Sequence, residues 1–315
     1  MRLAQDSLQR LGTKRGTILV TGGSGQVGYE LVRALAPLGN VVAPSSRELD
    51  LTDLAGVRAV VRAIAPAVIV NAAAYTNVDR AENDQDRCFA INAEAPRVLT
   101  EEAQRLGSAF VHYSSDYVFD GTKVTPYTEE DAPCPANVYG ESKLAGERAI
   151  AKVGGGYLIL RTSWVYGARG TNFLRSIRRL ARERRELKVV SDQIGAPTWS
   201  RAIADTTALL LGSLLVSDER FADNAARASG VYNMTAGEST SWYGFANAII
   251  EDDPQKEQMI CERVVPVTTA EYGALAPRPL YSVLDNTKLR ARVGCVLPDW
   301  RALLGLVLQD LACVR

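Results

Sequence analysis

The sequence predicts an α/β protein: a doubly wound parallel sheet followed by a smaller C-terminal α/β lobe. Three observations lead there. Strand-length apolar runs alternate with helix-length amphipathic stretches through the first half, a glycine-rich turn joins the first strand to the first helix, and the alternation loosens after Trp164. Strands are expected over 17–21, 40–44, 67–73, 108–114 and 157–162, with helices near 26–37, 54–64, 86–106 and 139–152. The first domain should therefore span 17–170 and receive part of 190–215, while 171–315 forms mainly a second lobe that opens on a strongly basic helix near 172–187. Residues 1–16 are an N-terminal tail without the apolar core of a signal peptide, and no function is assigned to them. The stretch around Pro126, Pro133 and Pro135 reads as a loop ahead of the last of these helices.

Composition removes several function classes. Lys plus Arg equals Asp plus Glu, at 36 each in 315 residues, so no field draws the chain to nucleic acid or an anionic membrane. No apolar run reaches bilayer length. The five cysteines (Cys88, Cys134, Cys261, Cys295, Cys313) are odd in number and never spaced Cys-x-x-Cys, which predicts a reduced, cytoplasmic protein without a disulfide framework or zinc site. His112, the one histidine, sits in an apolar strand where alternate residues point away from the ligand side, and is expected to be structural. Histidine-based hydrolysis and a histidine metal site are disfavoured, and no Gly-x-Ser-x-Gly elbow occurs.

The chemistry lies in local motifs. Thr21-Gly22-Gly23-Ser24-Gly25-Gln26-Val27-Gly28 follows a strand and opens a helix, so its amides can hold a pyrophosphate, and the first domain becomes a dinucleotide-binding one of Rossmann type. After the second strand, Pro44-Ser45-Ser46-Arg47 lacks the acid that would grip a ribose 2′-hydroxyl. Arg47 suits a 2′-phosphate and favours NADPH, while Glu48 and Asp50 keep NADH open. Tyr139 and Lys143 are four apart on one helix face, where a cation beside the phenol would favour phenolate. Ser114 and Ser115 end a strand at the same crevice, as do Asn71–Thr76 and Thr162–Trp164. The run Arg175, Arg178, Arg179, Arg182, Arg184, Arg185 is expected to be a solvated face, with grip on a substrate diphosphate as the alternative.

Ordered segments then point to a family: Gly25–Gly28, Val70–Asp79, His112–Phe119, Asn137–Gly140, Arg161–Tyr166 and Asp192-Gln193-x-Gly195-Ala196-Pro197-Thr198. From Thr17 to the C-terminus the chain resembles the extended short-chain dehydrogenase/reductases and, within them, the dTDP-4-dehydrorhamnose reductase family. The resemblance implies Tyr139 as proton donor, Lys143 as its electrostatic partner and ribose anchor, and Ser115 as the hydroxyl that orients a keto sugar. The family usually has threonine at this last position. It also implies cofactor contacts at Gly22, Gly25, Gln26, Val27, Gly28, Asp50, Leu51, Ala74, Tyr75, Thr76, Tyr113, Tyr139 and Lys143. Substrate contacts are implied at Ser115, Asp116, Tyr139 and Trp164. The implied reaction is reduction of the 4-keto group of dTDP-4-dehydro-6-deoxy-L-mannose to dTDP-L-rhamnose with NADPH or NADH.

One departure bears on assembly. Some members dimerise around Mg²⁺ held by glutamates; Glu30 matches one such position, but Arg201 and Thr287 stand at the others, which argues against metal here while leaving a homodimer open. The alternatives are another nucleotide-sugar 4-reductase, a 4-epimerase with the same triad and a retained NAD, or a non-catalytic nucleotide-binding regulatory subunit. A 4,6-dehydratase typically carries Asp-Glu after the active-site hydroxyl, whereas here Tyr117 follows Asp116.

Overall fold

A computed structural model describes residues 16–215, 221–294 and 297–313; the expected tail, apart from Gly16, lies outside them, as does Cys295. The first five strands are β1 (Thr17–Thr21), β2 (Asn40–Val42), β3 (Val68–Asn71), β4 (Ala109–Ser115) and β5 (Tyr157–Thr162). After an excursion through β6 (Glu186–Val190), β7 (Gly230–Asn233) returns to the same sheet. The order is β7-β5-β4-β3-β1-β2, and every pairing is parallel. The doubly wound sheet is as expected; its sixth strand, β7, was not foreseen.

Strand side chains alternate between two cores. Ile18, Val20, Val68, Val70, Val111, Leu158 and Leu160 face one, and Leu19, Ile69, Phe110 and Ile159 face the other. A sheet covered on both sides needs apolar residues at successive positions, which is why these strands read as unbroken apolar runs. Helix α1 (Gln26–Ala34) lies on the first face, and α2 (Leu54–Ile64), α3 (Ala95–Leu106) and α4 (Val138–Val153) on the second. The expected helix over 86–106 is broken: a short helix, Gln85–Phe89, passes through one π turn, Ala90–Glu94, into α3. The π turn directs Asn92 inward, where its amide accepts from Tyr75 N at 2.8 Å and donates to Tyr75 O and Ser142 Oγ at 3.0 Å each.

The second lobe gathers α5 (Phe173–Glu183), β6, α7 (Trp242–Asp252) and α8 (Trp300–Cys313) around Tyr166, Phe245, Trp300 and Leu304. Between them α6 (Ser200–Leu215) packs back on α1, and β8 (Arg263–Val267) pairs in parallel with β6. Helix α5 ends at Glu183, short of the expected 187, because β6 begins at Glu186. The segment 276–285 then runs back to the first domain, where Tyr127 and Val283, then Asp285 and Tyr127, exchange backbone hydrogen bonds of 2.8 Å. Among the described residues no helix is long and apolar enough to cross a membrane.

Candidate active site

The glycine-rich turn is glycine for steric reasons. Gly22 has φ +69°, and a Cβ there would lie 2.7 Å from Ala73 N; a Cβ on Gly28 would lie 2.0 Å from Gly22 O. Helix α1 starts without a side-chain cap, so its first amides are left to an anion, and the cradle fits a dinucleotide pyrophosphate. Gln26 accepts from Asn172 Nδ2 at 2.7 Å and so ties the turn to the loop after β5, while Val27 packs on the core.

At the end of β2, both acids are engaged locally. Glu48 accepts from Ser45 N and Oγ at 2.8 Å each, and Asp50 from Thr52 N and Oγ1 at 2.9 and 2.8 Å; these bonds hold both carboxyls below the usual range. Arg47 stands exposed beside them, and Leu51 is buried. Past β3, Ala74 and Tyr75 are half-buried and Thr76 exposed, with the Tyr75 hydroxyl donating to Asp84 at 3.0 Å.

The catalytic candidates meet where β4 ends against α4. Asn137 caps α4 by accepting from Gly140 N at 2.8 Å, which fixes Tyr139 in the first turn. Ser115 Oγ donates to Asp116 Oδ1 at 2.9 Å and accepts from Tyr117 N at 3.1 Å. Burial lifts the Asp116 carboxyl to about 6, against the lowering effect of the Ser282 and Ser115 hydroxyls. Tyr139 keeps an edge on the crevice and meets Tyr117 edge-on, 5.5 Å between ring centroids. The surrounding protein pushes the phenol up, opposed by its hydrogen bond with Ser115.

Here the geometry corrects one expectation. Lys143 was expected to pull Tyr139 toward phenolate, but its ammonium donates to Tyr113 O at 2.6 Å and lies 3.2 Å from His112 Nε2, and burial governs the phenol instead. Tyr139 is therefore the neutral acid, the form that donates a proton. His112, expected to be structural, is buried with both ring nitrogens engaged, one by Asn71 and the other by the candidate catalytic lysine. Lys143 itself is 2% exposed, and burial draws it down to about 8, opposed by Glu147. Tyr113 turns its phenol to Thr207 Oγ1 at 2.7 Å, on the far face of the sheet, so its backbone carbonyl is what serves this site.

Trp164 guards the second-lobe side with φ +46°, a strained value for a bulky residue, and stacks on Trp242 at 3.5 Å and 5°. Sequence patterns missed Trp242, as they missed Arg278. The Arg278 guanidinium clasps Asp79 at 2.8 and 3.2 Å and hydrogen-bonds Tyr117, while Pro277 O accepts from Asn137 Nδ2 at 2.7 Å. The Arg-Pro dipeptide in a stretch without periodicity was the available signal. In the basic run, Arg175 bonds Gly170 O, Arg178 is buried against Asp253, Arg179 pairs with Glu183, Arg182 with Gln255 and Arg185 with Glu262. Arg175, Arg179, Arg184 and Arg185 are exposed, as expected of a solvated face, while Arg178 is buried.

Glu30 is raised by burial, with Arg201 first among the cations that oppose it, and Arg201 also pairs with Asp310 at 3.4 Å. Among the described residues no three His, Cys, Asp or Glu side chains gather as a metal would require. Turnover and sedimentation behaviour are expected to be unchanged by EDTA; chelator-induced dissociation that Mg²⁺ reverses would contradict this.

The chain also matches known proteins. The family profile described as RmlD substrate binding domain matches residues 16–313. The dTDP-4-dehydrorhamnose reductase of Burkholderia thailandensis is 51% identical over 297 residues, 93% of this chain and 98% of that protein. Its namesake in Escherichia coli K12 is 40% identical over 299 residues, 93% and 97% of the two chains. The crystal structure of dTDP-4-dehydrorhamnose reductase from Bacillus anthracis, in complex with NADP, superposes with TM-score 0.84 at 34% identity, over 94% of this chain and 100% of that one. A Thermus thermophilus UDP-glucose 4-epimerase with NAD shares the fold, at TM-score 0.75 and 21% identity, over 95% and 100% of the two chains.

Proposed function

The chain belongs to the RmlD substrate-binding-domain family, and from that premise we propose that it is an NAD(P)H-dependent reductase converting dTDP-4-dehydro-6-deoxy-L-mannose to dTDP-L-rhamnose. The observation that carries this is the meeting of Ser115, at the end of β4, with a half-buried Tyr139 in the first turn of α4, the helix that also carries the buried Lys143. When bound, the reduced nicotinamide supplies the hydride. Tyr139 gives its proton to the oxygen at C4, and Ser115 and Asp116 orient the sugar about that oxygen. Lys143 holds the ribose and stabilises the phenolate left behind. Trp164 bounds the sugar from the second lobe. Gly22, Gly25, Gln26, Val27 and Gly28 cradle the pyrophosphate, with Asp50, Leu51, Ala74, Tyr75, Thr76 and Tyr113 along the rest of the cofactor.

The test is product identification with NADPH and the 4-keto sugar. A reductase oxidises one NADPH per sugar, whereas a 4-epimerase and a binding subunit both leave the 4-keto sugar and the NADPH unchanged; of these two only the epimerase would invert the C4 hydroxyl of a sugar supplied in its alcohol form. The Bacillus anthracis relative holds NADP, and Arg47 supplies a partner for the extra phosphate. Arg47→Ala is therefore expected to weaken NADPH about tenfold while sparing NADH, because only the phosphate loses a charge-assisted bond. Equal losses in titrations with the two cofactors would rule out this role.

A further inference from the structure

His112 belongs to a buried polar chain that crosses the sheet. Its Nε2 lies 3.2 Å from Lys143 Nζ and its Nδ1 3.0 Å from Asn71 Nδ2; Asn71 Oδ1 in turn meets Thr21 Oγ1 at 2.5 Å. All four residues are 2% exposed or less. The chain thus links the residue ahead of the glycine-rich turn to the lysine on α4, through β1, β3 and β4.

Proton count restricts this chain to two arrangements. An ammonium only donates, so Lys143 as a cation requires a lone pair on His112 Nε2, which puts the ring proton on Nδ1. That proton needs an acceptor, and Asn71 provides it when its amide is turned so that Oδ1 faces the ring and Nδ2 faces Thr21 Oγ1. With the amide the other way, Nε2 carries the proton and can meet only a neutral amine. Heavy-atom positions are the same in both.

We propose that His112 is a positioning residue for the reduction: its Nε2 lone pair holds Lys143 as an aimed ammonium, and Asn71 and Thr21 fix the tautomer that makes this possible. The proposal rests on the reductase function given above. The groups facing Lys143 are the Tyr113 carbonyl, His112, the Cys88 thiol and Glu147, which is itself paired with Arg161. His112 faces Phe110, Asn71 and Lys143; burial and the lysine charge hold the imidazole well below its ordinary value, so it stays neutral as an acceptor.

The test compares two amides of different reach. His112→Asn keeps a polar atom near Asn71 but falls short of Nζ, whereas His112→Gln extends a carbonyl to it. Activity needs the ammonium and is lost as pH rises through the Lys143 pKa, so removing an acceptor moves this alkaline limb to lower pH. The expected result is a shift of about one pH unit for His112→Asn and none for His112→Gln. The same comparison is made on NADPH affinity against pH, which reads the lysine without turnover. If the wild type binds NADPH but reduces no sugar, the reductase function fails while the binding profiles still decide the role of His112. An unmoved limb in His112→Asn, or equal shifts in both variants, would overturn the proposal.

Discussion

Tyr139→Phe is expected to lower turnover at least about a hundredfold, within the range a general acid supplies, while NADPH affinity and melting temperature barely change. The phenyl ring keeps the edge-on contact with Tyr117 and the turn capped by Asn137. Only the hydroxyl bonded with Ser115 is lost. Because burial raises the phenol above its ordinary value, the wild-type acid remains protonated through neutrality, so the lost rate should be the same across that range. Single-turnover measurement at saturating cofactor is the check, and near-normal turnover would remove Tyr139 from the chemistry.

The largest stability effect is expected at a different buried pair. Arg161 Nε and Nη2 reach Glu147 Oε1 and Oε2 at 2.9 and 2.6 Å, with both side chains 5% exposed or less. Arg161→Met leaves the buried Glu147 carboxylate without its hydrogen-bonded partner, with only the Lys143 charge acting on it, which costs about 3–5 kcal/mol. Adding Glu147→Leu should recover most of that, since a well-packed apolar pair replaces a half-broken ionic one. Urea denaturation of the three proteins measures both steps. A loss below about 1 kcal/mol for Arg161→Met would mean that water reaches Glu147.

Much of the fold was legible because apolar periodicity records which faces are covered. Strands β1 and β5 match their expected ranges, and the glycine spacing encodes a close backbone approach that only glycine permits. The legible part of the site was likewise local: Tyr139 and Lys143 lie on one helix, and Ser115 and Asp116 at one strand end. What escaped was set by partners distant in sequence. No pattern around Asn92 announces that its amide must clasp Tyr75, and nothing near Arg278 announces Asp79. The direction of the Tyr139 shift failed for a related reason. Helical spacing counts which residues are neighbours on α4 but not how much protein encloses them, and the ammonium turned to a carbonyl on β4 instead.

The Asp79–Arg278 clasp joins positions 199 residues apart. All six strands of the main sheet lie before residue 234, so the sheet can pair before Arg278 has left the ribosome. Closing so long a loop is slow relative to pairing neighbouring strands, and its reward comes only when the returning segment docks. Tyr117, the Asn137 cap and Asp116 each wait for a group from 277–282. Catalytic competence should therefore trail the acquisition of secondary structure during refolding, with a kinetic phase of its own.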